Sequence, residues 1–214
     1  MLYELFKRCL YIPYFQTGKS ANYAFDRTKE KLNIYFEGSD GGNDWRNNLD
    51  FPAKPYKRMG KTVWLAHRGF LDTWKEIERK VADDINDKRI TDITLTGYSH
   101  GAAMALLCHE YAWYNRPDIR KSIKGYGFGC PRVIWGKAPD DRWDNFTVIR
   151  NIDDIVTHLP PAALGYIHVG KMVEIGKKGR YTPIDAHRQQ NILKELEIYE
   201  GGKDYSSIIS NASQ

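Results

Sequence analysis

Cysteine is scarce: Cys9, Cys108 and Cys130 are the only three in 214 residues. An odd, widely spaced set offers neither a disulfide framework nor the ligand spacing of a zinc site. A stapled extracellular scaffold is therefore not expected, and the unpaired cysteines favour a reducing, cytoplasmic location. Long apolar runs are also missing. None reaches the ~20 residues of a membrane-crossing helix, so no transmembrane segment is expected. The first ten residues, MLYELFKRCL, break their apolar stretch with charge and lack a cleavage signature, so they do not read as a secretory signal. Charge of one sign is not concentrated either. The formal net charge of +5 is modest and spread along the chain. Lys177-Lys178-Gly179-Arg180 reads as a solvated hairpin with at most weak affinity for anionic lipid, and nucleic acid is not an expected partner. No metal-spaced cluster, linker or repeat stands out, so neither a metal nor a cofactor is expected. What remains is 42% apolar and 13% aromatic residues, enough for one sizeable core. A single domain over residues 1–214 is expected.

The most informative stretch is Ile93-Thr94-Leu95-Thr96-Gly97-Tyr98-Ser99-His100-Gly101-Ala102-Ala103. Alternating β-branched and apolar residues predict a strand over 89–97. Ala102, Ala103, Ala105, Leu106 and Leu107 predict a helix from His100 to about Tyr114. A serine between two glycines at that junction fits a sharp elbow that lifts its hydroxyl clear of both elements. Glycine suits 97 and 101 because strand and helix approach closely there. The N–H of His100 would lie at a helix N-terminus, where positive potential favours an oxyanion. The bland alternative is a capped turn.

A serine nucleophile needs a base, and the base needs an orienting acid. In sheet proteins with such an elbow the chain order is serine, acid, histidine. His100 and His109 lie on the elbow's own helix, and His158 follows its candidate acid too closely. His168, in Gly165-Tyr166-Ile167-His168-Val169-Gly170, reads as a structural residue of a strand pair completed by residues 171–175. His187 stands where a final helix begins, through Ile192, Leu193 and Leu196, and is the expected base. A strand over 146–150 ends in Asn151-Ile152-Asp153-Asp154, so Asp153 and Asp154 both suit the acid. Spacing does not choose between them.

These residues resemble the class 3 (fungal-type) lipases, and further blocks extend the resemblance over about residues 20–195. Phe36-Glu37-Gly38-Ser39 with Asp44-Trp45 is similar to the family's Phe-Arg-Gly-Ser/Thr and Asp/Asn-Trp block. His67-Arg68-Gly69-Phe70, Phe128-Gly129-Cys130-Pro131-Arg132-Val133 and residues 151–161 resemble three more. The resemblance implies an α/β-hydrolase fold with a mostly parallel central sheet flanked by helices. It selects Asp154 as the acid, supports His187 as the base, and assigns the oxyanion hole to Ser39 and His100. It also implies a lid just after Ser39, where residues 40–48 offer Trp45 as their one apolar side chain. Such a lid predicts weak interfacial activation. Glu37 departs from the family's arginine, Thr157 from its proline, and Gln190 from an aromatic.

The remaining chain predicts a hairpin of strands 21–25 and 32–36, a helix over 70–85 with Phe70, Trp74, Ile77, Val81 and Ile85 as a core face, and a strand over 123–128. The expected function is hydrolysis of acylglycerols or other lipid-like esters through Ser99, His187 and Asp154, with a small-molecule or lipid ester as partner and transient contact with lipid surfaces. The alternatives are a phospholipase A-type acyl hydrolase and a non-catalytic lipid- or protein-binding relative. Cysteine chemistry at Cys130 is disfavoured, because no helix begins there to activate a thiol.

Overall fold

The computed structural model describes residues 1–15, 21–38, 52–58, 60–137 and 141–211, with side chains to residue 201. The strands β1 (Tyr23–Arg27), β2 (Lys31–Phe36), β5 (Asp92–Tyr98), β6 (Ile123–Phe128), β8 (Phe146–Asn151) and β10 (Lys171–Ile175) form one sheet in the order β1-β2-β5-β6-β8-β10. Only β1 runs antiparallel. The alternation along β5 shows why it is central. Ile93 and Leu95 enter the larger hydrophobic cluster on one face, while Tyr98 enters a second cluster with Phe6, Phe128, Ile149, Ile175, Ile192 and Leu196. A strand with period two that is apolar on both sides must be covered on both sides.

Helices supply those covers. On one face lie α2 (Arg68–Asn86) and α3 (His100–Asn115), packed on each other. Trp74, Ile77, Val81 and Ile85 of α2 are buried as their spacing predicts. The other face is covered by α1 (Leu2–Tyr11) and α4 (Gln189–Asn211), which also pack together. α3 is buried almost all round, including His109 and Glu110. Its small residues let it sit tightly on β5 and β6.

A smaller antiparallel sheet was not evident in the sequence. It comprises β3 (Ala53–Arg58), β4 (Lys61–His67), β7 (Ile134–Trp135) and β9 (Tyr166–Ile167), in the order β3-β4-β7-β9. The carboxylate of Glu110, fully buried, pins it to α3. Arg58 and Arg142 donate to Glu110 at 2.9 and 2.6 Å, and the Tyr56 hydroxyl does so at 2.6 Å. Removing Glu110 would leave two guanidinium groups without their buried counter-charge.

This second sheet corrects one expectation. Residues 165–170 and 171–175 do not pair with each other: Tyr166–Ile167 joins the small sheet and Lys171–Ile175 edges the large one. The chain changes sheet at Gly170 (φ +83°), where a Cβ would lie 2.4 Å from the Phe146 carbonyl oxygen. The turn after β10 is exposed as expected, yet Arg180 is anchored, donating to the buried Glu195 at 2.6 Å.

Candidate active site

The junction of β5 and α3 forms a tight elbow. Ser99 has φ 54° and ψ −119°, and it is the only non-glycine residue with positive φ among the described residues. That strain is tolerated because the neighbours are minimal. A Cβ on Gly97 would lie 2.1 Å from the Gly101 carbonyl oxygen, and one on Gly101 would lie 2.2 Å from that of Phe36. The Ser99 amide donates to the Phe128 carbonyl at 2.9 Å, tying the elbow to the end of β6.

Two loops converge on the serine. Beyond β8, Asp154 is fully buried, and its Oδ1 accepts the Val156 amide at 2.9 Å. Its Oδ2 lies 2.8 Å from His187 Nδ1, and His187 Nε2 lies 2.8 Å from Ser99 Oγ. A carboxylate can only accept, so Nδ1 carries the proton and the serine hydroxyl donates to Nε2. His187 ends the short turn Asp185–His187 just before α4. Of the two aspartates, Asp154 is the one that reaches His187, while Asp153 accepts the Gly179 amide at 2.8 Å. His168 lies 2.7 Å from the Thr157 carbonyl oxygen, so it braces the loop that carries Asp154.

Sequence reasoning missed Gly129. It ends β6 with φ +58°, and a Cβ there would lie 2.8 Å from His187 Cε1 and 3.1 Å from Asp154 Oδ2. Its place right after the strand in Phe-Gly-x-Pro was the available signal. Gly129→Ala is expected to displace the imidazole and lower kcat about a hundredfold, the cost of ~1 Å misalignment. Kinetics on protein with an unchanged circular dichroism spectrum check this.

His100 opens α3, so its N–H has no carbonyl four residues back within the helix. Ser39 and Trp45 lie outside the described residues. Gly38 is described, and a Cβ there would sit 2.5 Å from Tyr98 Cδ1, so β2 delivers the chain beside the elbow. Glu37 accepts from Asn22 Nδ2 at 2.6 Å. A neutral amide therefore serves this glutamate.

Burial holds His100, His109 and His168 each down to about 4. They are neutral in the fold but titrate near ~6.5 when exposed, so the unfolded chain binds more protons between those values. Stability from these groups is fully present above about pH 6.5 and falls as acid is added toward pH 4, by roughly 1.4 kcal/mol per pH unit for each histidine. Urea midpoints across this range test it, and His109→Gln is expected to flatten the slope.

Thiol chemistry has no footing here. Burial pushes Cys9 up to about 12 and raises Cys108 and Cys130 as well.

A family model described as lipase (class 3) matches residues 33–164. A lipase of Rhizomucor miehei is 31% identical over 157 residues, covering 67% of this chain and 41% of its own length. A secreted mono- and diacylglycerol lipase of Malassezia restricta is 31% identical over 127 residues, covering 53% of this chain and 38% of its own. The chain thus spans about two fifths of the length of these curated relatives. Among solved structures, the Rhizomucor miehei triacylglyceride lipase superposes with a TM-score of 0.61 at 28% identity, over 78% of this chain and 66% of that one. The α/β-hydrolase architecture expected from the sequence is the architecture of these neighbours. With the family model covering more than half of the residues, the chain belongs to the class 3 lipase family.

Proposed function

We propose that the protein is a serine carboxylic-ester hydrolase of the lipase type, with Ser99 as nucleophile, His187 as base and Asp154 as orienting acid. The observation that carries this is the unbroken chain of two 2.8 Å contacts from Asp154 through His187 to the hydroxyl of a strained elbow serine. As Ser99 Oγ attacks the ester carbonyl, its proton passes to His187 Nε2. Asp154 stabilises the imidazolium, and the His100 N–H, with Ser39, receives the oxyanion. His187 then protonates the departing alcohol. Water, activated by the same imidazole, releases the acid and restores Ser99. Buried Asp154 is shielded from solvent, which strengthens its hold on the imidazolium.

The proposed substrates are acylglycerols or similar lipid esters. The named substrates of relatives support this, as do exposed apolar side chains on the segments bearing acid and base: Leu164 at 53% exposure and Ile184 at 45%. The sequence of the proposed lid, poor in apolar residues, suits weak interfacial activation. One α/β-hydrolase domain over 1–214 is proposed, since the two larger hydrophobic clusters share strands β5, β6 and β8.

No helix among the described residues is long and apolar enough to cross a membrane. The cytoplasmic location expected from the cysteines gains no support: a relative is named as secreted, and thiols this buried are sheltered from oxidation in either setting.

Hydrolysis of p-nitrophenyl butyrate and palmitate by wild type and Ser99→Ala tests the proposal. Ser99-dependent turnover supports it, and a palmitate preference marks a lipase over a short-chain esterase. Turnover that survives the substitution undiminished, or none from folded wild type, overturns it.

A further inference from the structure

Tyr98, the residue before the proposed nucleophile, reaches the base by two separate contacts. Its ring is stacked on the imidazole of His187, with centroids 5.1 Å apart and 23° between the planes. Its hydroxyl donates to the main-chain carbonyl of His187 at 2.7 Å. A buried tyrosine hydroxyl requires some acceptor, but here the acceptor belongs to the residue whose ring it also covers. The tyrosine is itself fixed: it is 6% exposed, and Phe6 of α1 meets it edge-on at 5.6 Å. With Gly129 also packed against the imidazole, the ring of His187 has little room to turn.

Asp154 and Ser99 hold the two nitrogens of His187. On its own turn, Asp185 is paired with Arg188 at 3.0 Å. Burial raises the Tyr98 phenol, which therefore stays a neutral donor at working pH.

We propose that Tyr98 is a positioning residue for acyl transfer. The hydroxyl latches the turn that carries His187, while the ring keeps the imidazole plane aligned between Ser99 and Asp154. The negative face of an aromatic ring also favours a cation above it, so stacking favours the imidazolium formed during attack. The inference rests on the reading of Ser99, His187 and Asp154 as a catalytic set.

Tyr98→Phe separates the latch from the ring, and Tyr98→Leu removes both. The readouts are kcat and KM per site titrated with a fluorophosphonate, and the His187 titration followed by NMR. Tyr98→Phe is expected to lose about three- to tenfold in kcat, the worth of one hydrogen bond, with KM and the His187 titration unchanged. Tyr98→Leu is expected to lose about ten- to a hundredfold in kcat per site. In that variant the His187 midpoint should move down by a few tenths to about one pH unit. A tyrosine that merely fills the core would reduce the titratable fraction while leaving per-site kcat and the midpoint alone, and that result overturns the proposal. Should Tyr98→Leu not fold, full per-site kcat in Tyr98→Phe is enough to overturn the latch. Wild type that neither reacts with the probe nor turns over defeats the catalytic reading instead, and the NMR midpoints still decide whether Tyr98 governs the imidazole.

Discussion

Ser99→Ala is expected to lower kcat by about a millionfold, with KM for a short ester nearly unchanged. The side chain removed is the one that makes the covalent bond, so no acyl-enzyme can form. What survives is the pre-organised remainder: the helix N-terminus at His100 and the base, still held by Asp154 at 2.8 Å. Such remnants accelerate direct attack by water about a thousandfold over solution. Stability should change little. Alanine must adopt the same φ of 54°, but so does serine, and the hydrogen bond lost is a single one to His187. A thermal midpoint close to wild type combined with the loss of turnover distinguishes a missing nucleophile from a broken fold.

Asp154→Asn is expected to cost about ten-thousandfold in kcat. The substitution is nearly isosteric, and an amide oxygen can still accept the Val156 amide that now binds Oδ1 at 2.9 Å. The damage is confined to the other atom. An amide nitrogen opposite His187 Nδ1 donates where the carboxylate accepted, so the imidazole must present a lone pair there and carry its proton on Nε2. It then faces Ser99 as a donor and cannot take its proton. The fully buried position adds to the loss, because no solvent replaces the missing charge beside an imidazolium. The corresponding change at Asp153, Asp153→Asn, is expected to leave kcat within about twofold, since that side chain only accepts from the turn at Gly179. Parallel kinetics on the two variants check both expectations.

The parts of this molecule that were legible in its sequence are those written in local patterns. The elbow was readable because glycine at 97 and 101 and strain at 99 are demanded within a few residues. Strand β5 and helix α2 were readable because their apolar residues repeat at two and at about 3.6. Asp154 and His187 were expected from chain order, junction position and resemblance, and the fold brings them together with Ser99 beyond the carboxyl ends of the parallel strands β5 and β8. The small sheet was not legible. Its first strand, Ala53–Arg58, shows no clean alternation and contains a proline, while β7 and β9 are two residues each. Helix α1 was missed because charged residues break its apolar run in the sequence, although Leu2, Phe6 and Cys9 lie at helical spacing and that side packs on β5 and α4. Tyr98 and Gly129 escaped for another reason: their contacts with His187 join segments far apart in the chain, and no spacing rule encodes them.

The chemistry proposed for this site depends on Ser99 being an activated nucleophile. Reaction of the purified protein with a fluorophosphonate, followed by mass mapping of the adduct, tests it without choosing any ester. One adduct is expected, on Ser99, formed by wild type and much more slowly by Asp154→Asn. Folded wild-type protein that forms no adduct, or forms one at another residue, would contradict it.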